Sequence, residues 1–209
     1  MLALSLMTKA STVGYTHYFG IKLNEVTPEQ ISRFAGDAEL IFAGADKAEI
    51  TLVREWDEPG TRPSSTGGVV AFNGLGGDGH ETFYFDPTPS VRPAGRRPRG
   101  DLYALARNDA SKAELAWAWI DYEKVQGEKG LRWAFCKTAR KPYDAAVGAV
   151  LIRAKAIFGN AADISSDGRF DDESDDYATW AGARRLYRSV FGEEGTSPMT
   201  KDDTGLLLL

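Results

Sequence analysis

The chain has 209 residues and a formal net charge of −5 at pH 7, and hydrophobic residues make up 43% of it. A chain of this length and composition can bury one sizeable core, which predicts a single domain. The acidic balance disfavours a dedicated nucleic-acid-binding protein, because neutralising phosphates needs a basic face. The lone cysteine, Cys136, excludes an internal disulfide and a multi-cysteine zinc site. We therefore expect a cytoplasmic protein without a metal or another cofactor.

The two ends of the chain differ in composition from the rest. Residues 1–12 contain a short apolar run, but it lacks a leading positive charge and is too short for a signal core or a membrane span. Residues 193–209 mix turn formers with charges and finish in four leucines, far fewer than a membrane helix needs. We predict one α+β domain over 13–192, with an insertion at 88–130, loose tails at 1–12 and 193–209, and no membrane association.

The first half of the domain is predicted to hold four strands and a helix. Aromatic and β-branched residues over 15–23 indicate the first strand. Thr27 and Gln30 form a capping box with Pro28 at the first helical position, which predicts a helix over 28–43. Three further segments have strand composition, and the last two are expected to form a hairpin across the glycine-rich sequence NGLGGDGH: 49–56, 69–73 and 81–86.

The second half begins with an exposed insertion over 87–110, rich in proline, glycine and arginine. A capping box at Ser111 predicts a helix next, although the alternation WAWIDY within it also suits a strand. The following elements are predicted as a strand over 131–137, a helix from Pro142 to Gly159, a strand over 164–166 and a last helix that carries Tyr177 and Trp180 and stops at Gly192.

This order of elements lacks the strict strand–helix alternation of a doubly wound sheet. We therefore expect an α+β fold, with a mainly antiparallel sheet of five to six strands and three to four helices packed on one face.

The sequence FCKTARKPYD, residues 135–144, is the strongest candidate for a binding site. Lys137, Arg140 and Lys141 crowd the start of a predicted helix, where the helix dipole already disfavours cations unless an anion lies among them. A phosphate or carboxylate there would accept hydrogen bonds from helix amides, from Thr138 and from the fork of Arg140. The alternative is a solvated basic turn in which Asp144 only complements the helix dipole.

Cys136 stands directly before this turn, where positive potential would favour a thiolate. A phosphatase loop places its arginine six residues after the cysteine, and Pro142 occupies that position. We therefore interpret Cys136 as a packing residue.

The two histidines are candidates for general acid–base chemistry. His80, followed by Glu81, lies in HETF, which fits half of the His-x-Thr pattern of two-histidine phosphoesterases. His17 lacks the hydroxyl two places later, since Tyr18 and Phe19 follow it. Both histidines are equally compatible with plain strand and turn positions.

Three other motifs carry weaker indications. The glycines of NGLGGDGH spell GxGxxG, but a strand rather than a helix follows, so a dinucleotide-binding fold is disfavoured. The acidic residues from Asp163 onward resemble half of a calcium loop whose closing glutamate is misplaced, although Ser166 and Asp167 could contribute to the anion site. The arginines at 92, 96, 97 and 99 lack interleaved aromatics and indicate a solvated loop.

The motifs GYTHYF, FNGLGGDGHETF, FCKTARKPYD and SSDG, in this order, resemble an uncharacterised family of small proteins from phage, plasmid and bacterial genomes. The resemblance covers about residues 13–191. It implies a mobile-element context, and therefore the host cytoplasm if a phage encodes the chain, but it implies no activity.

Our leading hypothesis is a protein that binds a phosphorylated, nucleotide-like small molecule and, by sequestering it, counters host defence signalling. A second hypothesis is a phosphoesterase or nucleotide hydrolase that uses His80 with Glu81, or His17; a third is a structural or protein-interaction module. The sequence leaves the oligomeric state and the exact ligand open. The candidate ligand-binding residues are Tyr15, Asn73, Lys137, Thr138, Arg140, Lys141, Tyr143, Asp144, Ser166 and Asp167.

Overall fold

The structure, a computed structural model, describes residues 15–54, 59–89, 95–127, 130–171 and 180–199, of which 121–127 are described by their backbone alone. The predicted tail at 1–12, Arg92 of the insertion and Tyr177 of the last helix lie outside these ranges. The elements in chain order are β1 (Thr16–Lys22), α1 (Pro28–Lys47), β2 (Leu52–Val53), β3 (Val70–Gly74), β4 (Phe83–Phe85), α2 (Leu102–Asn108), α3 (Ala113–Gly127), β5 (Leu131–Lys137), α4 (Asp144–Phe158), β6 (Ala162–Ser166) and α5 (Ala181–Phe191).

The α+β class and the antiparallel pairing are confirmed, but the single sheet of five to six strands is wrong. The described strands form two three-stranded sheets, in the orders β5-β1-β6 and β2-β3-β4. The sheets approach each other where the Glu81 amide donates to the carbonyl of Lys137 (3.3 Å) and Arg132 donates to the carbonyl of Asp86 (3.0 Å). Between these two contacts the described residues of β4 and β5 form no ladder of backbone hydrogen bonds. The two sheets therefore do not join into one.

The helix count also exceeds the prediction, because the region between β4 and β5 is helical. It folds into α2 and α3, which pack around Leu102, Trp119 and Ile120. WAWIDY is therefore helical rather than extended. Within this helix Ala116 is buried and Ala118 is exposed.

Local signals set the ends of several helices as predicted. The capping box of α1 is present, because Thr27 and Gln30 each accept a hydrogen bond from the other's amide. α4 stops at Gly159 and α5 stops at Gly192, which takes the left-handed conformation. α4 begins at Asp144 rather than at Pro142, since the preceding residues form a separate turn.

The main core lies between one face of the β5-β1-β6 sheet and α4, which is buried on most of its circumference. Phe19 of β1 contacts Phe83 across the two sheets, with ring centroids 5.1 Å apart. Gly148 lets α4 approach α5 closely, because a Cβ there would lie 2.5 Å from the Cβ of Ala183. Trp133 and Phe135 lie on the opposite face of the sheet and are each about half exposed.

Across the described ranges, no helix combines the length and the apolar character that a membrane span requires.

Candidate functional site

The turn after β5 is held against the start of β1. The amides of Thr138 and Ala139 both donate to the carbonyl of Tyr15, at 3.0 and 3.3 Å. Ala139 and Arg140 have φ values of 50° and 57°, in the left-handed region that residues with a Cβ rarely adopt. Two such residues in sequence are costly, and positions of this kind concentrate at ligand sites. The turn thereby fixes the side chains of Thr138 and Arg140 beside Tyr15.

Arg140 stacks on the aromatic ring that this turn brings to it. The guanidinium carbon lies 4.9 Å from the centroid of the Tyr15 ring, a cation–π contact. The Nε of Arg140 is buried and meets no hydrogen-bond partner among the described residues. Thr138 is fully buried, and its Oγ1 is likewise unpartnered there. Both side chains therefore retain hydrogen-bonding capacity at buried atoms.

His17 and Asp144 form a buried pair from opposite ends of the chain. The Nε2 of His17 lies 2.8 Å from the Oδ1 of Asp144, the first residue of α4. A carboxylate only accepts hydrogen bonds, so Nε2 carries the proton and Nδ1 of a neutral ring is the acceptor. Nδ1 is buried and has no partner within the described part of the chain. The ring is held edge-on by Tyr15 and by Trp180, at centroid distances of 5.2 and 4.9 Å.

These side chains make up what we call the buried polar cluster: Tyr15, His17, Thr138, Arg140, Asp144 and Trp180. Five of its side-chain atoms are buried without a partner among the described residues: Tyr15 OH, His17 Nδ1, Thr138 Oγ1, Arg140 Nε and Trp180 Nε1. A buried polar atom without a partner costs about 1–3 kcal/mol. Native proteins carry few such atoms, so their concentration at one end of a sheet indicates a place for a ligand or ordered water.

Tyr15 remains protonated within this cluster. Burial raises the pKa of its phenol above the ordinary value, the negative charge of Asp144 raises it further, and Ser166 and Arg140 oppose the shift. Its hydroxyl is therefore available as a hydrogen-bond donor at neutral pH.

Ser166 and Asp167 lie at the edge of the cluster, where β6 ends. Ser166 pairs with His17 across the β1–β6 ladder, and its Oγ accepts a hydrogen bond from the amide of Gly168 at 3.0 Å. Asp167 exchanges two hydrogen bonds with Thr16, one through its carboxylate and one through its amide. Asp167 thus holds the strand start in place, and the hydroxyl of Ser166 is directed to the phenol of Tyr15, where it opposes the rise in the pKa of that phenol.

The start of α4 differs from the anion site predicted there. The amides of Asp144, Ala145 and Ala146 already donate to carbonyls three residues earlier, at 2.8, 3.3 and 3.0 Å. These amides are therefore not open donors for an anion, because the tight turn from Lys141 uses them. Lys137 and Lys141 are only half buried.

Two residues of FCKTARKPYD have structural contacts. The hydroxyl of Tyr143 donates to the carbonyl of Glu81 at 2.7 Å. Cys136 is buried, and burial raises its pKa to about 12, so the thiol is protonated at neutral pH. Neither side chain is arranged for chemistry.

The candidate site residues in and beside the glycine-rich loop, Asn73, His80 and Glu81, lie outside the buried polar cluster. Asn73 is fully buried and uses every polar atom of its side chain on the loop, as acceptor from Gly74 and His80 and as donor to His80 and Thr82. His80 is exposed. Glu81 uses its carboxylate to accept a hydrogen bond from the amide of Lys137 at 2.7 Å.

Trp180 is the member of the cluster that the sequence did not single out. Its position before a helix with apolar spacing indicated only a core residue, and no local pattern distinguishes a core tryptophan from one beside a site. Within the described residues, no group of three histidine, cysteine or carboxylate side chains is placed to hold a metal ion.

Comparison of the chain with protein-family models, with curated proteins and with solved structures found no match, so its function has to be inferred from the geometry of the cluster.

Proposed function

We propose that the buried polar cluster binds the anionic group of a phosphorylated small molecule. The observation that carries this proposal is the set of five unpartnered buried atoms. Four of them can donate a hydrogen bond, namely those of Tyr15, Thr138, Arg140 and Trp180. A group rich in acceptors, such as a phosphate, complements this set.

Electrostatics supports the same choice. Arg140 places a permanent positive charge over the ring of Tyr15, beside the unpartnered buried atoms. A guanidinium presents its donors in a fixed fork that suits phosphate oxygens. Lys137 and Lys141 flank the turn and add positive potential through their charge alone.

The nucleotide-like part of the proposal is supported by the open face of the β5-β1-β6 sheet. Trp133 and Phe135 expose about half of their surface there, and Tyr18 stacks on Trp133 at 6.3 Å. Thr138 lies three positions after Phe135, a rise of about 10 Å, and strand alternation puts the two side chains on opposite faces. A ligand whose phosphate enters the cluster would therefore bring its base onto the aromatic face around the end of β5. In a mobile-element protein, such binding would sequester a phosphorylated host signal.

Thermal-shift measurements test the proposal against a panel of nucleotides, cyclic oligonucleotides and sugar phosphates. A ligand present at 100 times its Kd should stabilise the wild type by about 2.7 kcal/mol. For a chain of this size that corresponds to an increase in Tm of about 5–10 °C. Arg140→Ala should lose most of the increase, because it removes the charge and the unpartnered Nε.

The matched control is Arg185→Ala, which removes an exposed arginine on α5 and should keep the full ligand-induced increase. The proposal is wrong if no member of the panel stabilises the wild type more than it stabilises Arg140→Ala.

A further inference from the structure

His17 Nδ1 stands out among the unpartnered atoms because it is an acceptor. In the neutral tautomer whose Nε2–H donates to the Oδ1 of Asp144 at 2.8 Å, Nδ1 keeps a lone pair. An ionised phosphate offers only acceptors and does not satisfy Nδ1 of that neutral ring. A site that only holds the anion would therefore leave Nδ1 unpaired, which costs stability. A side chain without a buried acceptor at this position would avoid that loss of stability.

The missing partner of Nδ1 must carry a proton. A water molecule or a ligand hydroxyl beside the bound phosphate fits this requirement. A histidine whose far nitrogen is fixed by a carboxylate is the usual arrangement of a general base, because the carboxylate orients the ring and stabilises the imidazolium that forms. His17 is also buried to 1% exposure, so its ring is shielded from bulk water.

We propose that His17 and Asp144 form a general-base pair with which this site hydrolyses phosphodiesters. This inference rests on the proposed anion binding. His17 is the catalytic residue and Asp144 its positioning residue.

The charges around the site select the class of ester. Within the cluster Arg140 stacks on Tyr15, the carboxylate of Asp144 bonds to His17, and the carboxylate of Asp167 bonds to the amide of Thr16. A dianionic monoester brings one more negative charge than a diester to a site that already holds these two carboxylates. The single charge of a diester is repelled less, with Arg140, Lys137 and Lys141 as the nearby cations.

The step uses water as the nucleophile. As the water oxygen forms a bond to phosphorus, its proton passes to Nδ1 of His17, and the bond from phosphorus to the leaving oxygen breaks. The imidazolium then passes that proton to the leaving oxygen, which returns His17 to its neutral form. One diester and one water thereby give one monoester and one alcohol, and Arg140 with the hydroxyls of Tyr15 and Thr138 faces the charge on the phosphoryl oxygens.

The test follows release of p-nitrophenol from bis(p-nitrophenyl) phosphate, with the monoester p-nitrophenyl phosphate in parallel. We expect the wild type to cleave the diester in preference. His17→Gln should lower kcat by about 100-fold or more, the usual contribution of a positioned base. Asp144→Asn should lower kcat by about 10–100-fold, because an amide can leave the ring in the wrong tautomer.

The control is His80→Gln, which changes the exposed histidine outside the cluster and should retain the wild-type rate. In the binding panel, His17→Gln and Asp144→Asn should keep the ligand-induced increase in Tm that Arg140→Ala loses, so a lost rate with retained binding marks a catalytic defect and not a folding defect.

Three outcomes would overturn the inference: no diester cleavage by the wild type, an unchanged kcat in His17→Gln, or a rate lost in His80→Gln instead. If ligands still stabilise the wild type over Arg140→Ala in any of these cases, the protein is a binder and only the catalytic step is wrong. If that stabilisation is absent as well, anion binding fails with it.

Discussion

Asn73 and the buried polar cluster are two buried polar regions that differ in how completely their hydrogen bonds are satisfied. Asn73 makes four hydrogen bonds and leaves none of its side-chain polar atoms unused. The cluster has five buried atoms without partners in the described chain. A buried polar side chain that is fully paired serves the fold, whereas one that stays unpaired costs stability and is retained for something that binds there.

The two regions also differ in how they are assembled. Asn73 forms its hydrogen bonds with residues that follow it closely in the sequence. The loop that they form leaves no space for a side chain at Gly79, where a Cβ would lie 2.2 Å from the carbonyl oxygen of Gly74 and 2.7 Å from the Oδ1 of Asn73. The cluster joins residues from β1, from the turn before α4 and from the start of α5. His17 and Asp144 are 127 positions apart. Only the complete fold can bring the cluster together.

Asn73→Ala should give the largest change in stability. It leaves the buried amide of Gly74 and the backbone amide and carbonyl of His80 without their side-chain partner, which should lower the free energy of unfolding by about 3 kcal/mol. Urea denaturation followed by circular dichroism measures this change. Asn160→Ala removes an exposed asparagine and should change the same quantity by less than about 0.5 kcal/mol. Equal, small effects of both substitutions would contradict the structural role of Asn73.

Thr138→Val, in the cluster, should not lower the free energy of unfolding as Asn73→Ala does. Valine has nearly the same shape as threonine, and the hydroxyl that it replaces is buried without a partner in the described residues. We expect the free energy of unfolding to stay the same or rise by about 1 kcal/mol, since a desolvated hydroxyl is removed. Ligand-induced stabilisation should fall, because the phosphate loses one donor.

The same substitution at an exposed cap provides the matched control. Thr27→Val removes the hydroxyl that accepts a hydrogen bond from the amide of Gln30 at the start of α1. It should lower the free energy of unfolding by about 1 kcal/mol and leave ligand binding unchanged. If Thr138→Val destabilises the protein as much as Thr27→Val does, its hydroxyl is paired in solution and the contrast with Asn73 disappears.

The parts of the fold that the sequence predicted correctly depend on near neighbours. The capping box at Thr27, the strand Leu131–Lys137 and the glycine stops at Gly159 and Gly192 each arise from interactions within a few residues. The start of α4 was misplaced because proline at a first helical position is common, whereas the turn through Ala139 and Arg140 has no glycine to reveal it.

The candidate site shows where such local reasoning stops. Tyr15, His17, Thr138, Arg140 and Asp144 were each singled out from the sequence, yet the pairing of His17 with Asp144 follows from a fold that no local pattern encodes. His80 and Asn73 had equally suggestive side chains, and the structure places one in solvent and the other in a loop anchor. Residue type indicates what a side chain can do, and only tertiary placement decides whether it meets a partner.

Ala139→Gly should have the smallest effect and tests whether the turn is built for a ligand. Ala139 has a positive φ that glycine adopts freely, so the substitution removes about 1 kcal/mol of strain and adds a somewhat smaller entropy cost in the unfolded chain. The free energy of unfolding should rise by about 0.5 kcal/mol on this balance. Glu49→Gly, at an exposed positive-φ position after α1, should give a similar increase.

The two variants should differ in their affinity for the best ligand of the panel, measured by isothermal titration. Glycine at 139 loosens the link between Thr138 and Arg140 and should weaken binding about two- to fivefold, because preorganisation is lost. Glycine at 49 should leave the affinity unchanged. Unchanged affinity in Ala139→Gly would mean that the strained turn contributes nothing to binding and does not position Thr138 and Arg140 for the ligand.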